Sequence, residues 1–151
     1  MMRKKILDDV IHDLLSLTPL IRRSIQRKVM KSAFTKIEED LTLPHLEIMK
    51  TLEREGTLHI AEIGDKLQIP KPQMTHLIDR LEALEIAYRQ AEVHDRRITN
   101  IVLSDKGRRI VEELDLILYE GIAEKLSGLS DEELHEISDS LQKLGDILGK
   151  L

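Results

Sequence analysis

Residues 59–107 change their hydrophobic period in a fixed order, and few folds accommodate that order. Ile60, Ile63 and Leu67 recur at spacings of 3 and 4, predicting a short helix from His59 to Leu67. Gln68-Ile69-Pro70-Lys71-Pro72 reads as a turn, and Pro72 suits the first turn of a second helix, Pro72 to Leu84. The period then becomes 2. Thr99, Ile101 and Leu103 fall on one face of a strand, and Ile98, Asn100 and Val102 on the other. Ser104 is placed to cap a further helix. Two short helices joined by a tight turn, with a two-stranded hairpin behind the second, make a winged helix-turn-helix.

The second short helix has two faces. Met74, Leu77, Ile78, Leu81 and Leu84 are placed to be buried, while Gln73, His76 and Arg80 lie opposite with Thr75 nearby. Alone, such a face fits a solvated surface; next to a hairpin, its donors and acceptors suit base edges in a major groove. The hairpin tip, His94-Asp95-Arg96-Arg97, is poor core material and good material for a probe into a nucleic-acid groove.

The flanks read as helices. Ile6, Val10, Leu14, Leu17, Ile21 and Ile25 form one apolar face within 3–37, interrupted by Thr18-Pro19, which predicts either a kink or a fresh start capped by Thr18. The basic stretch Arg22, Arg23, Arg27, Lys28 and Lys31 is read as a solvated face. Thr42 is a candidate N-cap for a helix carrying Leu46, Met49 and Leu52, which Gly56 ends. The helix from Ser104 runs to about Leu126 with Ile110, Leu114, Ile117 and Gly121 inward, and Ser130 with Glu133 forms a capping box for the last one. There Leu134, Ile137, Leu141, Leu144, Leu148 and Leu151 keep a 3-4-3-4-3 spacing, a coiled-coil seam that needs a helical partner, most economically a second copy. The expected organisation is one structural domain overall: residues 1–40 and 108–151 are dimerisation helices and 41–107 the winged helix-turn-helix lobe. The fold class is mainly α with a small β-wing.

Composition removes other classes. With no cysteine there is no disulfide, zinc-thiolate site or thiol switch, and the six histidines lack metal-ligand spacing. Only three aromatic residues are available, too few for the stacking platforms of single-strand binders. No phosphate loop or nucleophile–base pair is visible, so neither an enzyme nor a cofactor is expected. No apolar run approaches the ~18 residues of a membrane span. The charged N-terminus, MMRKKILDDV, predicts a cytoplasmic location. The net charge of −5 disfavours DNA binding until its distribution is considered. Residues 108–151 hold 5 Lys/Arg against 11 Asp/Glu, whereas 71–109 hold 8 against 6. Local field sets a binding face.

Leu41-Thr42, Glu62-Ile63, Thr75-His76-Leu77-Ile78-Asp79-Arg80-Leu81-Glu82, Asp95-Arg96-Arg97 and Val102-Leu103-Ser104-Asp105-Lys106-Gly107-Arg108 together resemble the MarR family of transcription regulators. The resemblance covers nearly the whole chain, and its most specific part is the wing motif followed by leucine, a hydroxyl residue and glycine. It implies homodimers formed through the terminal helices, a helix at 72–84 in the major groove and Arg97 in the minor groove. DNA contacts are then expected from Gln73, Thr75 and His76 at bases or phosphates. Lys71, Arg80, Arg89 and Arg96 are expected at phosphates, with Asp95 supporting Arg97. The resemblance also implies a repressor on pseudo-palindromic double-stranded DNA, with a small-molecule effector of unspecified identity. The chain departs from the family in four places: His45 for glutamine, His76 for the frequent arginine, Ser104 for threonine, and the pair Glu85-Ile86 for the glycine where the wing begins. A neutral histidine at 76 reaches DNA less well than arginine, so weaker or pH-dependent affinity is expected. The competing reading is a dimeric winged-helix module that binds protein without specific DNA binding.

Overall fold

A computed structural model describes all residues from Met1 to Leu151. The elements in chain order are α1 (Met2–Ile21), a π-helical segment (Arg22–Gln26), α2 (Arg27–Lys36), α3 (Leu43–Glu55), β1 (Leu58–His59), α4 (Ile60–Leu67), α5 (Lys71–Ala83), β2 (Ala87–Ala91), β3 (Thr99–Leu103), α6 (Asp105–Leu126) and α7 (Asp131–Leu148). The sheet is antiparallel with order β1-β3-β2, and its register runs from Ala87 opposite Leu103 to Ala91 opposite Thr99. The winged helix-turn-helix expected from the periodicity is present, with each helix boundary there within a residue of its expected place.

Local chemistry explains the boundaries. Gly56, at φ 79°, ends α3 in a conformation that costs glycine nothing. Ser104 Oγ accepts the Gly107 N–H at 3.0 Å. At α7, Ser130 Oγ accepts the Glu133 N–H at 3.1 Å while Glu133 accepts the Ser130 N–H at 2.9 Å, the reciprocal box read from the sequence. Gly107 is required by close approach: a Cβ there would sit 2.3 Å from the Ile86 carbonyl oxygen and 2.6 Å from Leu103 Cδ1. This is why glycine follows the wing motif.

The Thr18-Pro19 region differs from one of the two expectations. No new helix starts there; α1 runs through Pro19. Thr18 does not cap; its hydroxyl donates back to the Leu14 carbonyl at 2.9 Å. The backbone widens into π turns just beyond, where the Arg27 N–H bonds the Arg22 carbonyl.

The core gathers the helix-turn-helix, the sheet and the inner parts of α2 and α6. Ile48, Met49, Ile63, Ile78, Ile101 and Leu114 are among its fully buried members. By contrast, α1 and α7 bury no residue within the chain. The seam from Leu134 to Leu151 is exposed throughout, and the α1 face is broader than one line because Leu7, Ile11, Leu15 and Leu20 are exposed beside it. No helix is long and apolar enough to cross a membrane.

His45 ties α3 to the core in a proton-dependent way. It is buried, and its Nδ1 accepts the Thr42 N–H at 3.0 Å, so it completes the cap as glutamine would. Burial pushes its imidazole below the ordinary 6.5; the Arg80 guanidinium pushes the same way, and Asp40 opposes them. The folded state therefore holds the neutral ring more strongly than the unfolded chain does. That stability is fully present above pH 6.5 and is lost as pH falls through the depressed folded value. Urea midpoints at pH 7.5 and 5.5 are expected to fall more on acidification for the native chain than for His45→Gln, which accepts the same bond at every pH. Equal losses would contradict this role.

Candidate nucleic-acid interface

The exposed side of α5 carries Lys71, Gln73, Thr75, His76, Asp79 and Arg80. Met74, Leu77, Ile78 and Leu81 are buried beneath them, and Leu84 is half-buried at the end. The face exists because polar and apolar residues separate at a 3.6-residue period. The Gln73 and His76 side chains make no intramolecular hydrogen bond, whereas the Thr75 hydroxyl donates to the Lys71 carbonyl at 3.2 Å. Arg80 lies 3.8 Å from Asp40, an exposed and loose pair.

The wing closes over a tight tip. Glu92 N–H bonds the Ile98 carbonyl and Ile98 N–H bonds the Asp95 carbonyl. The Asp95 carboxylate then organises Arg97. Oδ1 accepts the Arg97 backbone N–H at 3.0 Å and its Nε–H at 3.1 Å, and Oδ2 faces Nη2 at 3.4 Å. These bonds, the side-chain one foremost, hold the Asp95 carboxyl below the usual carboxylate range. Arg97 itself is 91% exposed. Its cation is thus held outward by an anion behind it. Arg96 is exposed and forms no ion pair.

The two parts meet. Lys71 at the start of α5 and Arg97 on the wing line one concavity of about 520 Å³, with His59, Met74, Ile98 and Thr99 in its walls. His59 also joins the wing to the helix-turn-helix: Nδ1 contacts Asn100 Oδ1 on β3, while Nε2 lies 3.5 Å from Glu62 and 3.7 Å from Glu92. In the sequence His59 marks only the start of a short helix; its partner on β3 is 41 residues away. At the other side, Ser104 Oγ lies 2.6 Å and 2.8 Å from the Glu85 and Ile86 carbonyls, anchoring the base of the wing. Glu85 there has φ 61°, the left-handed region that favours glycine. Arg89 is not a free cation: Asp79 and Glu82 of α5 hold it.

The fold thus sets a cation-tipped wing beside a polar helix face, and comparison with known proteins identifies the family. The MarR family model matches residues 41–99. The uncharacterized HTH-type transcriptional regulator YsmB of Bacillus subtilis is 30% identical over 104 residues, 69% of this chain and 71% of its own. The chain belongs to the MarR family. It is a helix-turn-helix transcriptional regulator by that membership. Another B. subtilis relative, the HTH-type transcriptional repressor MdtR, is 28% identical over 138 residues, 91% of this chain and 86% of MdtR. Among solved structures, a MarR family protein from Bacillus stearothermophilus superimposes with a TM-score of 0.79 at 25% identity, covering 94% of this chain and 97% of that one. A mutant of S. aureus MepR bound to an oligodeoxyribonucleotide matches with a TM-score of 0.63 at 27% identity, covering 87% and 97%.

Proposed function

We propose that this MarR-family chain is a homodimeric repressor that binds pseudo-palindromic double-stranded DNA. The observation that carries the reading is Arg97, held outward by Asp95 on a concavity it shares with Lys71 of α5. Such a guanidinium suits a narrow minor groove, where the negative potential is enhanced. On this reading Gln73, Thr75 and His76 face base edges or phosphates of the adjacent major groove, and Lys71, Arg80 and Arg96 position the backbone. The name of MdtR supports a repressor, and the MepR complex supports DNA as the ligand.

The second copy covers the apolar faces of α1 and α7, which nothing in one chain covers. Twofold symmetry then sets the two α5 helices on half-sites about 10 bp apart. An effector acts if it binds one separation of the lobes better than another. The groove of about 590 Å³ between α2 and α6, bordered by Val29, Ser32, Ile117 and Gly121, is the place proposed for it.

Selection of bound fragments from the protein's own genome tests this function. Enrichment of a palindrome is expected. Failure to enrich any sequence, with a protein partner retained instead, would favour a winged-helix module that binds protein.

A further inference from the structure

β1 pairs with β3 only at Ile101 and Asn100, so the angle of the β2–β3 hairpin to α5 depends also on contacts outside the ladder. One side chain makes the polar contact between β2 and α5. Arg89 Nη2 donates to Asp79 Oδ1 at 2.6 Å, and Nη1 lies 3.3 Å from Glu82 Oε2. The same Glu82 oxygen accepts the Arg89 backbone N–H at 3.2 Å. Asp79 and Glu82 stand three residues apart, so one helical turn presents both carboxylates to one guanidinium fork. The Arg89 side chain is 29% exposed, against 91% for Arg97.

The charge at this point is one cation against two anions. Such a cluster does not attract a phosphate, although the sequence alone placed Arg89 among the phosphate contacts. We propose that Arg89 is a positioning residue: a strap from β2 to Asp79 and Glu82 that fixes the wing's angle, so that Arg97 and the α5 face reach adjacent grooves together. This rests on the DNA-binding reading above. The lever is long. From Arg89 the strand and tip extend some five residues, about 15 Å at 3.3 Å per residue, so a 10° rotation at the strap moves the tip by about 2.5 Å. That exceeds the tolerance of a hydrogen bond to a groove edge.

The two roles predict opposite results for one variant. Asp79→Asn with Glu82→Gln removes two negative charges beside the proposed DNA surface. If Arg89 were a phosphate ligand, freeing it would strengthen DNA binding. As a strap, it loses its anchor, and operator affinity is expected to fall about 10-fold or more. Arg89→Gln is expected to give a similar loss, with no further loss when combined with the acid pair, because the three side chains act as one unit. The slope of log affinity against log salt stays unchanged in Arg89→Gln, whereas losing one phosphate contact per subunit would lower it by about 1.8 in a dimer. Arg89→Lys, which reaches one carboxylate at a time, restores part of the affinity.

Amide exchange of β2 and β3 in the free protein gives an independent reading: faster exchange toward the wing tip is expected in Arg89→Gln and in the acid pair variant. Stronger operator binding by the acid pair variant, or a reduced salt slope in Arg89→Gln, overturns the strap. If the native chain binds no DNA, the proposed function fails instead, and unchanged amide exchange alone overturns the strap.

Discussion

Arg97→Ala is expected to remove specific operator binding while leaving the fold and the dimer intact. A side chain reading a groove contributes about 1–3 kcal/mol, and a homodimer loses it twice, so specific affinity falls roughly 30-fold to 10⁴-fold. The fold is spared because Arg97 is 91% exposed and its only side-chain partner is Asp95, two residues away. Mobility shifts with operator and random competitor measure the first effect, and thermal unfolding the second. An undiminished operator shift would show that the tip cation is only solvated. A weakening equal for operator and random DNA would make Arg97 a phosphate contact rather than a groove reader.

The second large effect concerns the uncovered helices. Leu141→Asp combined with Leu144→Asp places two charges on the α7 seam, at side chains exposed in one chain. Buried between two copies, unpaired carboxylates cost far more than the leucines they replace. The variant is therefore expected to sediment as a monomer. Its winged lobe stays folded, because α7 contributes nothing to the core. Operator affinity falls roughly 10²-fold to 10⁴-fold, since two linked half-site contacts become one. A variant that remains a dimer would move the interface away from α7. A monomer with undiminished operator affinity would separate DNA binding from dimerisation altogether.

Much of the fold was legible because its signals are local. Ser104 and Ser130 announce helix starts through bonds that span three residues, and the alternation of Thr99, Ile101 and Leu103 reports a strand half-buried on one face. The two faces of α5 were equally plain, since helical period alone separates Met74 and Ile78 from Gln73 and His76. What escaped depends on contacts made across the fold. Arg89 reads as a basic residue near a wing until the hairpin returns over α5 and brings Asp79 and Glu82 to it. Its clue was the pair of acids one turn apart, which propensity does not join to a strand 7 and 10 residues later. His59 is a poor cap by residue type, yet the sheet makes it a tie to Asn100. At Pro19 the outcome turned on a hydroxyl bonding back to Leu14 and on π turns beyond it, neither of which a proline rule anticipates.

Hydroxyl-radical footprinting on the selected DNA tests whether each subunit carries two probes at a separation fixed by a dimer. The expected pattern is twofold symmetric, with half-site centres about 10 bp apart and a flanking minor-groove protection on each side. Arg97→Ala should erase the flanking protections first. A single unsymmetrical patch would rule out the paired half-sites, and flanking protections that persist in Arg97→Ala would rule out Arg97 as the groove reader.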